Sequence, residues 1–352
     1  MLDSKEFVKL LIKNNYDSVC AVPCSFLKGL INSVINSDNI EYIPAASEAI
    51  ACSIASGLKI SGRRPIVLSQ SSGLTNMASC ITSLVKPYDI KFPIITSWRS
   101  YNEGDSEIQH QHLSKRLLDL IDSYGYEYEI LDSDNLDHAI KQLNNCNHIH
   151  SICVVKEGTF SPCLLEERHM LDLSNFPKRS EYLKILNQTF QNDANMHFIG
   201  TTGNTSREMY HFMDKTSNFY MAGNMGGALS LGLGMGMSNK NIIVCGGDAE
   251  FVMHLGGLST SGRYINKTNL KYIIFDNEQN KSTGGQNTYQ NHIDYIGIAE
   301  SCSFSPFNKT IVDVSEFAKV IKSKKFNFYH VKCSEDKEES RPPLEKIRRN
   351  KL

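Results

Sequence analysis

The sequence predicts an α/β protein with two doubly wound parallel-sheet domains. Short apolar runs typical of buried strands alternate with segments whose apolar residues recur at helical spacing, and this pattern continues through both halves of the chain. A polar, charged stretch that includes Pro177 separates the halves. We therefore expect a first domain over residues 1–170, a linker over 171–180 and a second domain over 181–352.

Composition excludes several classes of function. The 352 residues are 41% apolar with a net charge of −1, which fits two globular domains and favours neither a nucleic-acid partner nor a membrane surface. No apolar run reaches the ~20 residues that span a bilayer. Asp3 and Glu6 make the N-terminal segment an amphipathic helix instead of a signal peptide. Ten scattered cysteines without a CxxC pair predict reduced thiols in a cytoplasmic protein.

The elements of the first half follow in chain order. We expect a helix over 7–12, a strand over 18–22, a helix capped by Ser25, a strand over 42–46, a helix over 47–57, a strand over 65–69, a helix up to 84 and a strand over 92–99. A polar loop over 100–112 then holds three acids and two histidines. Such a loop beside a strand end suits acid–base work, and a solvated loop is the alternative.

Two His-x-His pairs are candidate metal ligands. His110 with His112, and His148 with His150, have no cysteine or carboxylate partners at ligand spacing. This absence favours roles without a metal for all four side chains.

The second half repeats the alternation. After a helix over 181–191 we expect a strand over 196–200, a Gly/Thr turn over 201–208, a strand over 219–222, a Gly-rich helix over 228–237 and a strand over 241–245. Gly246, Gly247 and Asp248 are predicted to break that strand before one helix that carries Phe251, Leu255 and Leu258. The turn over 201–208 could cradle phosphate through backbone N–H groups and hydroxyls, with a simple helix cap as the alternative.

Two polar turns follow neighbouring predicted strands. Asp248 follows the strand over 241–245, and Asn277 follows the strand over 270–275. In a parallel βαβ unit both turns lie at the carboxyl ends of the strands, where open sheets bind ligands. Their hard oxygen atoms suit Mg²⁺, and a helix N-terminus at Ala249 would offer N–H groups to a phosphate. An ordinary pair of α/β turns is the alternative.

Glu48 is a single carboxylate at the start of a helix of small and apolar residues. One interpretation is a carboxylate favoured by the helix dipole. The other is a proton relay, because its apolar neighbours would bury it and a buried carboxyl group without a partner is costly.

The turn motif resembles that of thiamine-diphosphate enzymes. Gly247-Asp248, a spacer and Asp276-Asn277 are similar to their diphosphate-and-metal motif, which usually has glycine where this chain has Ala249. In those enzymes a glutamate in the setting of Glu48 contacts N1′ of the aminopyrimidine. The resemblance therefore implies thiamine diphosphate and Mg²⁺ as cofactors and favours the proton-relay role for Glu48.

Further motifs resemble the phosphonopyruvate and sulfopyruvate decarboxylases. They are, in the same order as in that family, Val22-Pro-Cys-Ser25, Ser47-Glu-Ala49, Gln70-Ser-Ser-Gly-Leu-Thr-Asn76, Ser97-Trp-Arg-Ser100, Glu107-Ile-Gln-His110, a Thr-Thr-Gly…Ser-Arg-Glu stretch over 201–208 and Ser-Thr-Gly-Gly-Gln over 282–286. Cys24 stands where the phosphonopyruvate enzymes have a catalytic aspartate, and in this it is more similar to the sulfopyruvate branch. Ser71 and Ser100 also depart from the family pattern.

The resemblance assigns roles to individual residues. It implies Glu48, Cys24 and His110 as catalytic groups, and Asp248, Asn277 and Gln279 as Mg²⁺ ligands. Ser25, Arg99 and Lys281 would bind the substrate's anionic headgroup, with Arg207 as a further candidate. The cofactor would contact Glu48, Asn76, Thr202, Gly203, Ser206, Gly223, Met225, Gly247, Asp248, Ala249, Glu250, Asn277, Thr283 and Gly284. Among these, Met225 would wedge under the cofactor, with a role as core filler as the alternative.

The expected function is decarboxylation of a small anionic 2-oxo acid. Phosphonopyruvate is the first choice and sulfopyruvate the second. The resemblance also implies a homodimer or homotetramer with the cofactor at the subunit interface. Two alternatives remain: a carboligase that passes the intermediate to an acceptor aldehyde, and a catalytically silent subunit that needs a partner chain. The intact Glu48, Asp248 and Asn277 argue against the silent subunit.

Overall fold

The computed structural model describes residues 1–102, 107–335 and 339–347. It divides into two compact units, each with its own parallel sheet. The first contains Met1–Met170 and Asn280–Asn287, and the second contains Leu171–Gln279 and the chain from Thr288 onward. The predicted fold class is confirmed. One segment of the predicted second domain, Asn280–Asn287, is grouped with the first unit instead.

The first unit is built on a six-stranded parallel sheet with the order β2-β1-β3-β4-β6-β5. Its strands are β1 (Ser18–Ala21), β2 (Glu41–Pro44), β3 (Pro65–Gln70), β4 (Ile94–Ser97), β5 (Glu127–Ile130) and β6 (Ser151–Val155). Its helices are α1 (Ser4–Lys13), α2 (Lys28–Ile35), α3 (Glu48–Ile60), α4 (Ser71–Asn76), α5 (Ala78–Cys80), α6 (Ile108–Ser114), α7 (Leu117–Ser123) and α8 (Leu136–Asn145). β1 lies inside the sheet between β2 and β3, so the order reverses there, as a doubly wound sheet requires.

The second unit is built on a five-stranded parallel sheet with the order β13-β10-β9-β7-β8. The strands from here on are β7 (Met196–Gly200), β8 (Phe219–Tyr220), β9 (Asn241–Gly247), β10 (Asn269–Asp276), the short pair β11 (Gln279–Asn280) and β12 (Gln286–Asn287), and β13 (Phe328–Lys332). The helices are α9 (Arg179–Phe190), α10 (Asn204–Met213), α11 (Ala228–Gly236), α12 (Asp248–Met253), α13 (Leu255–Tyr264), α14 (Tyr295–Ser301), α15 (Val314–Val320) and α16 (Leu344–Ile347).

Apolar side chains cover both faces of each sheet. On β3, Ile66 and Leu68 belong to one buried cluster, and Val67 belongs to the cluster on the opposite face. Ile243 and Val244 of β9 divide in the same way. Successive side chains of a strand point to opposite faces, so continuous apolar runs are what a sheet buried on both sides requires. Among the described helices, none is long and apolar enough to cross a membrane.

Local polar contacts cap the starts of two helices, α1, which begins at Ser4 and not at the predicted residue 7, and α3. The Asp3 carboxylate accepts a 2.9 Å hydrogen bond from the Glu6 N–H at the start of α1. The Ser47 hydroxyl accepts from the Ile50 N–H, 3.5 Å away, at the start of α3. Each contact satisfies one of the N–H groups that a helix start leaves unpaired.

Three details of the predicted helices and strands were wrong. The expected single helix through Phe251 and Leu258 is broken at His254 into α12 and α13, and Leu255 is exposed. Strand β9 continues through Gly247 instead of ending at Cys245, because neighbour pairing with β10 extends that far. The helix expected up to residue 84 is divided into α4, α5 and a π-helical turn, Ile81–Val85.

Three further corrections concern the predicted loops and caps. Helix α9 begins at Arg179, inside the expected linker. His110 and His112 lie on helix α6 and not in a loop. Ser25 begins a 3-10 turn without capping it, since its side chain is used elsewhere. Two of the three acids expected in the 100–112 loop, Glu103 and Asp105, lie outside the described residues.

Candidate active site

The predicted residues of the first unit follow the carboxyl ends of four neighbouring strands. Cys24 follows β1, Glu48 follows β2, Asn76 lies on the helix after β3, and Arg99 follows β4. Parallel strands present their carboxyl ends at one edge of the sheet, where open α/β sheets bind ligands. The topology therefore gathers these side chains at one edge although 75 positions separate Cys24 from Arg99.

Glu48 lies in the first turn of α3 and is only 3% exposed. Its Oε2 accepts a 2.8 Å hydrogen bond from the Asn76 side-chain amide. A Cβ atom at Gly73 would lie 2.7 Å from the Glu48 Cγ, so only glycine leaves room for this carboxylate. A buried carboxylate held by a neutral donor can exchange a proton with a ring nitrogen, which fits contact with the pyrimidine of thiamine diphosphate.

Cys24 is 1% exposed and contacts the Ser97 hydroxyl, with 3.1 Å between Sγ and Oγ. Ser97 is the last residue of β4, so the thiol is positioned by the sheet itself. Ser97 belongs to one of the family motifs, but nothing in the sequence alone pointed to this contact. Either group can donate the hydrogen bond, and a thiol can also serve as a proton carrier.

Arg99 lies in a buried polar cluster. Its Nε donates to Glu107 Oε2 at 2.9 Å, and its two terminal nitrogens contact the Glu107 carboxylate and the Ser25 hydroxyl. The guanidinium also stacks over the Phe26 ring, 4.1 Å from its centroid. His110 Nε2 is 3.9 Å from the same Glu107 oxygen. The structure therefore brings Arg99 and His110 together at Glu107 and places Ser25 on the other side of the Arg99 guanidinium. The sequence had marked Glu107 only as one of three acids in a polar loop and as part of a motif.

The predicted metal ligands lie at one edge of the second sheet. β9 and β10 are parallel neighbours, as expected, with Gly247 opposite Phe275. Asp248 and Asn277 directly follow these two strands, and both are buried. The Asp248 carboxylate accepts a 2.8 Å hydrogen bond from the Thr288 hydroxyl.

Electrostatics around Asp248 favour a bound cation. Burial, together with repulsion from the Asp276 carboxylate, raises the pKa of Asp248 to about 7. A divalent ion placed at this carboxylate would offset both effects. Asp276 itself is held by His330 and Lys332, each at 3.0 Å.

The oxygen atoms here fit Mg²⁺. Asn277 donates its amide to the Gln279 backbone carbonyl at 3.2 Å and to Glu335, which leaves the amide oxygen for other partners. The Gln279 side chain donates to the Leu171 carbonyl, so its backbone oxygen is the atom suited to bind metal. A carboxylate and two neutral oxygens, with water and phosphate completing the shell, form a suitable Mg²⁺ site. Among the described residues, this site included, no three His, Cys, Asp or Glu side chains are grouped as a metal site built from such side chains would need.

Two of the groups predicted to contact the diphosphate already form hydrogen bonds within the protein. The Gly247 N–H donates to Glu250 Oε2 at 3.3 Å, and burial raises the pKa of Glu250 to about 7. The Ser206 hydroxyl donates to the Gly200 carbonyl at 2.9 Å, so it cannot donate to a phosphate at the same time. Thr202 and Gly203 are partly exposed in the turn before α10, and Gly203 has a φ of 84°. Thr202 and Gly203 are therefore the better candidates for contact with the diphosphate.

The remaining predicted cofactor residues occupy two glycine-rich segments. Gly223 and Met225 lie before α11, and both are partly exposed. Ala249 is in the first turn of α12. Thr283 and Gly284 belong to the segment grouped with the first unit, where the Thr283 hydroxyl donates to the Asn280 carbonyl at 3.0 Å. Gln286 anchors that segment through a 2.7 Å hydrogen bond to buried Asn32, and Lys281 is exposed.

Comparison with known proteins gives a consistent family. Residues 4–120 match the N-terminal TPP binding domain of the thiamine pyrophosphate enzymes, and residues 199–350 match their C-terminal TPP binding domain. Phosphonopyruvate decarboxylase of Streptomyces viridochromogenes is 29% identical over 86% of this chain and 81% of its own length.

Two sulfopyruvate decarboxylases are also similar to this chain. The Methanosarcina acetivorans protein is 26% identical over 93% of this chain and 90% of its own length. Subunit beta of the Methanocaldococcus jannaschii enzyme is 35% identical over 42% of this chain and 77% of its own length.

Proposed function

The chain belongs to the thiamine-diphosphate-dependent phosphonopyruvate and sulfopyruvate decarboxylase family, and we propose that within this family it converts 3-phosphonopyruvate to phosphonoacetaldehyde and CO₂. It is a 2-oxo acid decarboxylase and therefore a carboxy-lyase. The choice of phosphonopyruvate is supported by two relatives of that name, each 29% identical over 86% of this chain.

The observation that carries the chemistry is the buried pair of Glu48 and Asn76. When bound, thiamine diphosphate supplies an electron sink for the pair released as CO₂ leaves. Glu48 would hold and exchange a proton at the pyrimidine N1′, while the Asn76 amide keeps the carboxylate in place. In the second unit, Asp248, Asn277 and the Gln279 carbonyl would hold Mg²⁺ against the diphosphate.

The reaction replaces the carboxylate of the substrate with one proton, which gives the aldehyde. Cys24 and His110 are the proton-carrying groups that we propose for this step. Neither is exposed to bulk water, being 1% and 8% exposed, so the proton would come from a defined side chain.

Arg99 would bind the anionic headgroup of the substrate, and its neighbours would adjust the strength of that contact. Glu107 offsets part of its charge in this structure, so the net field at the headgroup is weaker than that of a free arginine. Ser25, which contacts Arg99, would add a neutral donor. We propose Lys281 as a further contact, since it is exposed and not tied to a partner carboxylate among the salt bridges of the described residues.

Sulfopyruvate is the second candidate substrate. Cys24 stands where the phosphonopyruvate branch has aspartate, and this single difference favours a sulfonate. We also propose that the active enzyme is a homo-oligomer, at least a dimer, as the family resemblance implies. Relatives named as alpha and beta subunits of sulfopyruvate decarboxylase support assembly from more than one chain.

The test is CO₂ release by the purified chain with thiamine diphosphate and Mg²⁺. Phosphonopyruvate, sulfopyruvate and pyruvate are compared, with Glu48→Gln as the inactive control. Rapid turnover of phosphonopyruvate alone, lost in the variant, is the expected result. Product analysis with and without an acceptor aldehyde separates a carboligase, and absence of turnover for all three substrates would overturn the proposal.

A further inference from the structure

The Asn277 side-chain amide is held on both of its N–H bonds. Its Nδ2 lies 2.5 Å from Glu335 Oε1 and 3.2 Å from the Gln279 backbone oxygen. Asn277 is 4% exposed, so water does not replace these partners. Both partners are acceptors and carry no hydrogen to donate, as a carboxylate and a carbonyl group.

The Glu335 carboxylate decides which way the amide is turned. If the amide were flipped, its oxygen would lie against the Glu335 carboxylate oxygen and its NH₂ would lose that acceptor. The observed orientation instead directs Oδ1 away from Glu335. That oxygen is the atom by which an asparagine binds a hard cation.

We propose that Glu335 is the positioning residue of the metal site: its carboxylate locks the Asn277 amide so that Oδ1 faces Mg²⁺. This inference rests on the proposed function, because it takes Asn277 as a metal ligand. Glu335 does not touch metal, cofactor or substrate in this proposal, and it acts only through Asn277.

Glu335 is itself held in a defined place. It directly follows Ser334, whose N–H donates to the Pro177 carbonyl at 2.9 Å and whose hydroxyl donates to the Phe176 carbonyl at 2.8 Å. The Arg179 N–H in turn donates to the Ser334 carbonyl at 3.0 Å. The backbone just before Glu335 is thus fixed from both sides by the segment that begins α9.

A buried arginine accounts for the presence of a carboxylate here. Arg179 Nη2 is 3.7 Å from Glu335 Oε1, and Arg179 is 3% exposed. Its main partner is Glu208, which it binds through two hydrogen bonds of 3.0 and 2.6 Å. Because Glu208 already pairs with Arg179, removal of the Glu335 charge leaves the arginine compensated, and the variants below are expected to fold.

The test measures Mg²⁺ binding and not only activity. Mg²⁺ is titrated by calorimetry into the full chain with saturating thiamine diphosphate. Glu335→Met removes the acceptor at nearly constant size, and Glu335→Gln keeps a carbonyl acceptor but removes the charge. Glu339→Ala is the matched control, since Glu339 pairs with His211 near the protein surface.

Glu335→Met is expected to weaken Mg²⁺ binding about 10- to 100-fold, as loss of a group that orients a metal ligand does. Glu335→Gln is expected to stay within about threefold of the wild-type dissociation constant, because the acceptor is retained. A wild-type dissociation constant in Glu335→Met would overturn the proposal. So would an equal loss in both variants, because the charge and not the orientation would then matter.

Two further measurements separate the proposal from its premise. The thermal unfolding of the metal-free protein is compared for all variants, and the Mg²⁺ effect of Glu335→Met should exceed any change seen there. Asp248→Asn tests the metal site itself. Unchanged Mg²⁺ binding in Asp248→Asn would refute the proposed ligands, whereas loss in Asp248→Asn with no loss in Glu335→Met would refute the positioning role alone.

Discussion

The Asn76 amide of α4 donates a 2.8 Å hydrogen bond to the Glu48 carboxylate of α3, 28 positions earlier in the chain. Glu48 follows β2 and Asn76 lies on the helix after β3, the two strands that flank β1, and the partner of Glu48 is uncharged. A neutral donor fixes the carboxylate without neutralising it. The pair is therefore suited to hold a proton-exchanging group in one orientation, which is the role that the proposed function requires.

Removal of the amide should impair turnover more than folding. In Asn76→Ala we expect kcat for CO₂ release to fall about 10-fold or more, because a hydrogen bond to a charged group contributes about 1.5–3 kcal/mol. Steady-state kinetics with saturating cofactor measure this change. Asn39→Ala, at an exposed position, is the control. An unchanged kcat in Asn76→Ala would show that Glu48 does not depend on this contact.

A methyl group at residue 73 should displace Glu48. The Cβ of Gly73→Ala would lie 2.7 Å from Glu48 Cγ and 2.8 Å from Oε1, closer than real contacts allow. We expect at least about a 10-fold loss of kcat, since misplacement of a catalytic group by about 1 Å costs up to 100-fold. Gly57→Ala in α3 is the control, because its Cβ meets nothing within 4 Å. It should keep full activity and gain stability, and equal effects of both changes would contradict this account.

The contributions of the size and of the polarity of the Cys24 side chain to stability should be separable by mutation. Cys24→Ser keeps a donor and acceptor beside Ser97 and is expected to retain most of the stability, whereas Cys24→Val leaves the buried Ser97 hydroxyl without this partner. An unpaired buried polar group costs about 1–3 kcal/mol. Denaturant unfolding of both variants measures the difference. Equal stability of the two variants would show that the thiol contact is not significant.

Lysine should not replace Arg99. Lysine cannot reproduce the forked contacts to Glu107 and Ser25 or the stacking on Phe26. We expect Arg99→Lys to reduce kcat/KM for the anionic substrate by about 10-fold or more. Arg116→Lys is the matched control, since Arg116 is exposed and forms an ion pair with Asp119 at the surface. If both variants behave like the wild type, Arg99 does not position the substrate site.

The partly buried Lys271 should give the protein a pH-dependent gain in stability. Burial lowers its pKa from 10.5 to about 8. Between these values the unfolded chain holds a proton that the folded protein has released, so this group makes folding more favourable as pH rises. Denaturant unfolding between pH 7.5 and 10 compares the wild type with Lys271→Met. The stability of the wild type relative to the variant should rise over this range, and a constant difference would contradict the prediction.

Much of the fold could be predicted because its signals are local. The apolar runs that became β7, β9 and β10 are continuous in the sequence, and a strand buried on both faces requires such a run. The break at His254 could not be predicted in this way. The apolar spacing of Phe251 and Leu258 continues across it, although the backbone of His254, with φ −124° and ψ 48°, is not helical.

In the candidate site, too, some features could be predicted from the sequence and others could not. Glu48, Asp248 and Asn277 were identified from residue type, spacing and family resemblance. Their partners Asn76, Thr288 and Glu335 were not predicted as such, since contacts across 28, 40 and 58 positions leave no periodic signal in one sequence. Glu107 was visible as part of a motif, but its contact with Arg99 depends on how the chain returns after β4.

The sequence by itself determined the fold class, the family and the chemical types of the groups available for catalysis. Those properties depend on residue identity and on order along the chain, both of which a sequence contains in full. Only the tertiary structure decided which of those groups already form hydrogen bonds or ion pairs within the protein. Ser206 and Gly247 donate within the protein, Arg99 is paired with Glu107, and the Asn277 amide donates to Glu335. Hydrogen bonds form between atoms that packing brings within about 3 Å, and packing joins residues that are far apart in the chain.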